Sequence, residues 1–287
     1  MRIKKFLCRH APSLLLIAMF AVGLCVLLYP TVSDYVNSLH QSRVIADYTE
    51  NVLRIDDARY AELLTAARAY NEVLPAGDNR FAMSDAERAD YDALLDISGN
   101  GVMGYLEVPS INVKLPIYHG TGESILQAGL GHLEGTSLPV GGIGTHAVVT
   151  GHRGLPSSML LTNLDRLDIG DVFTFTVLDE LLTYEVDRIL TVEPHEMDKL
   201  ELVPGMDYAT LITCTPYGIN SHRLLVRGHR TDNLPVGFRV TADAMPIDPA
   251  LASALFAVPI LLGLLAGVLI RHRRRGALAE RETARTW

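Results

Sequence analysis

The chain opens with an uncharged run, Ala11 to Tyr29, built mainly of Leu, Ile, Val, Ala and Phe. A helix of that length crosses the apolar core of a bilayer. Arg2, Lys4, Lys5 and Arg9 precede it, which assigns residues 1–10 to the cytoplasm. A cleaved signal peptide would carry a shorter run and a small-residue cleavage site. No clear site follows, so a retained anchor is expected over residues 11–30. Pro30 is expected to stop this helix.

From Val32 to Leu74 apolar residues return at helical spacing: Val36, Leu39, Val44, Tyr48, Val52, Ile55, Leu63, Ala67, Tyr70 and Val73. Acids and arginines fill the other face. This pattern predicts one or two amphipathic helices that pack on a later domain, or form a coiled-coil surface. Pro75 to Arg80 reads as a loop, closed by Phe81. Ser84 and Glu87 match a capping box and open a short helix through Leu95. The turn Asp96 to Gly101 completes a helical region over 31–101.

At Val102 the period changes to two. Strands are expected at Tyr105–Val108, Val113–Ile117, His146–Thr150, Val172–Leu178, Leu182–Val192, Tyr208–Thr213 and Arg223–Arg230. Short strands joined by Gly and Pro predict a mainly β, closed or nearly closed barrel over 102–232. Gly120 to Gly144 reads as irregular, with at most one helical turn near Ser124–Gln127. Residues 233–249 form a linker. Ala250 to Ile270 is a second uncharged run, interrupted by Pro259, and Arg271, Arg273, Arg274 and Arg275 begin a basic tail over 271–287. Two spans with both ends cytoplasmic would leave 31–249 outside the cell.

The formal charge of -8 hides an asymmetry: between Ala11 and Ile270, 15 basic residues face 31 acidic ones. A body of that balance lacks the basic face of a nucleic-acid binder. Cysteine usage is more telling. Cys8 precedes the first apolar run, Cys25 lies inside it, and Cys214 alone lies in the body. A lone thiol outside the cell points to reactivity, with a small buried hydrophobe as the alternative.

Cys214 ends one β-branched run, and Arg223 begins the next after a loop containing Pro216, Gly218 and Asn220. Antiparallel pairing would bring the thiol beside the guanidinium, and a neighbouring cation favours thiolate. Acyl transfer by a thiol also needs an acid/base and an oxyanion donor. His152 follows a strand between Gly151 and Arg153-Gly154. His222 sits in the loop, and His229 lies roughly 20 Å along the strand from Arg223 at about 3.3 Å per residue. Arg227 and Arg230 are removed by the same distance, and Arg153 is expected to point away from the thiol.

Thr210-Leu-Ile-Thr-Cys214, with Arg223 nine residues later and Gly151-His152 sixty-two before the Cys, resembles the sortases. Gly104 to Pro109, Leu115 to Gly120, Gly131 to Pro139 and Cys214 to Asn220 look like the class C, pilin-polymerising branch. The resemblance implies an eight-stranded sortase barrel with N-terminal helices and two flanking transmembrane helices. It makes Cys214 the nucleophile, His152 the acid/base and Arg223 the donor to the substrate carbonyl, with neither cofactor nor metal. It implies cleavage of an LPXTG-like sorting signal between Thr and Gly, a thioester, and transfer to a pilin lysine. Partners would be pilin subunits and membrane lipid. Class C members carry a lid with an Asp-Pro-aromatic motif. This chain has Asp78-Asn79-Arg80-Phe81 there, so Asp78 and Phe81 are lid candidates over 75–81 without the proline. The alternatives are a sortase anchoring proteins to peptidoglycan, a cysteine protease, and a non-enzymatic, membrane-anchored extracellular binding module with an inert Cys214.

Overall fold

The computed structural model describes residues 2–74, 78–233, 257–268 and 270–271, with backbone only for 2–10, 12, 14, 78 and 79. The chain divides into two units, residues 1–33 with 244–287, and residues 34–243.

In the first unit, the opening apolar run belongs to α1 (Arg2–Val52). Pro30 does not stop it. A proline removes one donor and crowds the preceding turn. Here helix-forming apolar sequence on one side and amphipathic sequence on the other carry the helix through that defect. Its stretch Leu15–Val52 is, among the described residues, the one helix long and apolar enough to cross a membrane. α2 (Ala257–Val268) is a shorter apolar helix within the second uncharged run. Residues 250–256, the expected linker from 234 and the basic tail beyond 271 lie outside the described residues.

In the second unit, α1 is followed by α3 (Asp57–Val73), whose first turn is capped by Asp56 accepting from the Arg59 amide. α4 (Asp85–Asp92) has the expected capping box between Ser84 and Glu87. It ends earlier than expected, and Leu95 at φ 58° turns the chain. These helices pack on the barrel. The Tyr48 hydroxyl donates to the Met103 carbonyl at 3.0 Å and accepts the Leu178 amide at 2.7 Å. Asn71 in α3 exchanges two hydrogen bonds with the backbone of Leu138. The 78–81 segment, expected as a loop, is a short 3-10 turn (Asp78–Phe81).

The eight strands are β1 (Val102–Val108), β2 (Val113–His119), β3 (Leu130–His132), β4 (Thr145–Thr150), β5 (Val172–Val177), β6 (Glu180–Val192), β7 (Asp207–Thr215) and β8 (His222–Thr231). They close a barrel in the order β1-β2-β3-β4-β7-β8-β6-β5. Seven match expected strands within a few residues at their ends. β3 falls in the Gly-rich stretch read as irregular, and the helical turn there is α5 (Glu123–Ala128). β3 has three residues, too few to show a period. It exists because Gly131 permits a close approach: a Cβ there would lie 2.3 Å from the Gly120 carbonyl oxygen.

Alternation sorts the strands into two faces. Ala147, Val149, Ala209, Leu211, Leu224 and Val226 point into the main core. Val148, Ile212 and Leu225 point the other way, into a second apolar cluster closed by Val192 and Leu200. That outer face of β4, β7 and β8 carries the candidate chemistry.

Candidate active site

β7 and β8 pair antiparallel, and the register makes Cys214 and Arg223 direct partners. Side chains so paired have Cβ atoms about 4.5–5.5 Å apart. Cys214 lies two residues beyond Ile212 and so shares its outward face. The thiol is free and half-buried. Arg223 Nη1 donates to the carbonyls of Asn220 at 3.3 Å and His222 at 3.2 Å. The β7–β8 loop thus holds the guanidinium of the residue paired with Cys214.

His152 arrives from β4, which runs parallel to β7. The last pair is Thr150 with Ile212. Gly151 is held at both ends: its amide donates to the Ile212 carbonyl at 3.0 Å, and its carbonyl accepts the Thr213 hydroxyl at 2.8 Å. His152 therefore leaves the sheet level with Cys214. Its side chain is 25% exposed, and Nε2 lies 3.3 Å from Glu123 Oε1. The structure brings the three expected residues to one sheet end.

The other candidates separate cleanly. His222 begins β8 opposite Thr215, one step from the Cys214–Arg223 pair and hence on the opposite face, and Nε2 lies 3.3 Å from Glu193. His229 pairs with Tyr208 at the far end of β7. Arg227 makes a two-pronged contact with Asp187 at 2.9 and 2.7 Å. Arg230 contacts the Thr183 carbonyl at 3.2 Å.

Arg153 reaches β7 at Thr215, one step from Cys214 and on the opposite face. Nη1 donates to Thr215 Oγ1 at 3.2 Å, and the side chain is 8% exposed. Strand alternation stops at Thr150, so it does not govern residue 153. Gly154 at φ 76° turns the chain, and Asp165 pairs with the Arg153 guanidinium. Arg153 thereby ties the chain after His152 to the residue after Cys214.

Two buried histidines lie elsewhere in the barrel wall: His132 on β3 opposite Val149, and His146 opposite Tyr208 at the far end of β7 from the thiol. Burial lowers His146 from 6.5 to about 4. Its Nδ1 faces the Glu201 carbonyl at 2.9 Å, and Nε2 faces the Thr210 hydroxyl at 2.7 Å. Burial lowers His132 to about 4 as well, with Nε2 against the Ser137 carbonyl and Nδ1 against the Tyr91 hydroxyl. A carbonyl can only accept, so Nε2 of His132 carries the proton and the Tyr91 hydroxyl donates to Nδ1.

Of the lid candidates, the Asp78 side chain lies outside the described residues. Phe81 packs its ring 4.8 Å from the Arg80 guanidinium carbon. Arg80 is 5% exposed and donates from Nη2 to the Leu200 carbonyl at 2.6 Å. Leu200 belongs to the outer-face cluster with Ile212. The 78–81 turn therefore rests against the wall of the face that carries Cys214. Arg80 was not a sequence candidate; a charged residue between a loop and a capped helix reads as surface.

A Sortase domain family model matches residues 106–231. Sortase C1 of Streptococcus agalactiae is 48% identical, with TM-score 0.63; the match covers 67% of this chain and 100% of that one. Sortase C of Streptococcus pneumoniae is 45% identical, with TM-score 0.61, covering 67% and 99%. Sortase C-1 of Actinomyces oris is 47% identical, with TM-score 0.56, covering 60% and 99%. Among curated relatives, sortase A of Streptococcus agalactiae is 30% identical over 117 residues, 40% of this chain and 47% of that protein. The chain thus spans about half the length of that curated relative. Structural likeness to sortase C structures at identities above 40%, with thiol, imidazole and guanidinium at one strand end, makes this chain a member of the sortase family, in its class C branch.

Proposed function

We propose that the protein is a membrane-anchored cysteine transpeptidase that polymerises pilin subunits. One observation carries the reading: the Cys214–Arg223 pair lies level with His152 on an outward sheet face. The Cys214 thiolate attacks the Thr carbonyl of an LPXTG-like sorting signal. Arg223 donates to the oxyanion as the carbonyl carbon becomes tetrahedral. His152, as imidazolium, gives its proton to the departing Gly amine, leaving a thioester on Cys214. A pilin lysine amine then attacks the thioester, His152 takes the proton, and the thiolate is regenerated. No electrons change hands and no cofactor is required.

The pilin assignment rests on class C likeness; the Streptococcus pneumoniae structure is itself described in terms of pilin substrate specificity. Localisation belongs to the same proposal. α1 anchors the chain, the second apolar run crosses back, and both termini are cytoplasmic with the barrel outside. Incubating full-length protein with a sorting-signal peptide and a lysine-bearing pilin tests this by mass. An acyl adduct on Cys214 followed by an isopeptide product is expected. Transfer to a peptidoglycan amine in preference to the pilin would replace pilin assembly with wall anchoring. Absence of any adduct would overturn the enzyme.

A further inference from the structure

The fold brings a carboxylate to His152 that the reaction as described does not use. Glu123 opens α5, in the connection from β2 to β3. β3 pairs antiparallel with β4, setting Gly131 opposite Thr150. Leu130, two residues after the end of α5, packs where a Gly151 Cβ would stand: that atom would lie 2.6 Å from Leu130 Cδ2. The start of β3 therefore meets the end of β4, and α5 lies beside His152, 29 residues away in sequence.

At that junction Glu123 Oε1 is 3.3 Å from His152 Nε2. The same oxygen accepts the Gln127 side-chain amide at 2.9 Å, one helical turn on. Gln127 first, and the charge of His152 second, hold the Glu123 carboxyl below its ordinary value. The carboxylate is thus ionised and oriented where the acid/base needs it. An imidazole with one nitrogen engaged by a carboxylate presents its other nitrogen to the reacting groups.

We propose that Glu123 is a positioning residue for His152, giving the site a Cys214–His152–Glu123 relay in addition to Arg223. The proposal rests on the transpeptidase reading for its use, and on ring geometry alone for its existence. Glu123 accepts from Nε2–H, so Nδ1 is the nitrogen that exchanges a proton with the thiol and the leaving amine. The carboxylate also favours the imidazolium that must protonate the Gly amine. Other charged groups on the elements meeting here are Arg153 with Asp165 after β4, and Arg223 on β8 beside the Cys214 thiol. Both arginines oppose a positive charge on His152, and Glu123 offsets them.

The test is the ring titration of His152, followed by NMR in full-length protein carrying 13C-labelled histidine in nanodiscs, with His152→Gln for assignment. Glu123→Gln keeps the shape and removes the charge, and Glu123→Asp keeps the charge on a shorter arm. The His152 midpoint is expected to move toward acid in Glu123→Gln and by less in Glu123→Asp. The alkaline limb of the peptide-cleavage profile should move with it, while the melting temperature stays unchanged. Identical midpoints in wild type and Glu123→Gln would overturn the proposal. Failure of wild type to form any thioester would refute the enzymatic reading and leave the midpoint comparison standing, so the two failures are told apart.

Discussion

Cys214 and Arg223 face each other across the β7–β8 ladder, and the loop between them supplies the carbonyls that hold the arginine. Nucleophile and oxyanion donor are therefore set by a single hairpin. This has a direct consequence for substitution at 223. Lys keeps the charge but has no planar fork. It cannot grip the Asn220 and His222 carbonyls while also serving a substrate oxygen. Arg223→Lys is expected to cut thioester formation by about 10²–10³, as loss of one oxyanion donor does. Stopped-flow acylation with a sorting-signal peptide measures it. Wild-type kinetics would shift the donor role to Arg153, whose Nη1 already reaches Thr215.

Removal of the thiol should abolish chemistry without disturbing the fold. Cys214 is half-buried on an outward face and contributes nothing to the main core. Cys214→Ala is expected to form neither thioester nor polymer, with an unchanged melting temperature. Intact-mass analysis after incubation with peptide reads the first, and thermal unfolding the second. Polymer made by this variant would end the assignment of Cys214.

Acid should destabilise the barrel through its buried histidines. His132 and His146 titrate at about 4 in the fold against 6.5 unperturbed. Between those values the unfolded chain binds more protons than the folded one, so stability falls as pH drops through this window and rises as pH returns. Each group accounts for about 3 kcal/mol across the full window, at about 1.4 kcal/mol per unit. Unfolding midpoints measured from pH 7 to pH 4 should decline steeply below pH 6.5. His146→Gln should flatten that decline by one proton's worth. A pH-independent midpoint in wild type would contradict both lowered values.

How much of this was legible in the sequence follows from what each element needs. The hairpin was legible because two β-branched runs and a Pro-Gly-Asn loop fix both strands and their pairing. His152 was legible as a strand-end residue between glycines, but the hydroxyl of Thr213 that holds Gly151 was not, since β4–β7 pairing is parallel and non-local. β3 escaped notice because three residues beside a glycine carry no period; its hydrogen bonds come entirely from partners far along the chain. The run through Pro30 shows the reverse limit. A local breaker was overridden by helix on both sides of it. The contact of Arg153 with Thr215 was not legible, because strand alternation ends at Thr150 and does not govern residue 153. Glu123 gave no signal at all, since its role depends on the β3–β4 junction.

The turn over residues 78–81 provides the last prediction. We hypothesise that it governs access to the thiol. Arg80 is buried against the Leu200 carbonyl, and Phe81 covers its guanidinium. Leu200 in turn closes the apolar cluster around Ile212, two residues from Cys214 on the same face. A buried cation is stable only while its hydrogen bonds are intact, so this contact behaves as a latch rather than as general packing. Segments that must move for substrate belong to the least stable part of a fold. Phe81→Ala exposes the guanidinium to water and loosens the latch. Asp78→Ala with Phe81→Ala should loosen it further if the acid also serves the lid. Both variants are expected to speed alkylation of Cys214 by iodoacetamide several-fold and to raise hydrolysis of short sorting-signal peptides. The main core does not include Phe81, so the melting temperature should change little. Equal alkylation rates in wild type and both variants would show that this turn is a fixed wall of the cleft and that entry is controlled elsewhere.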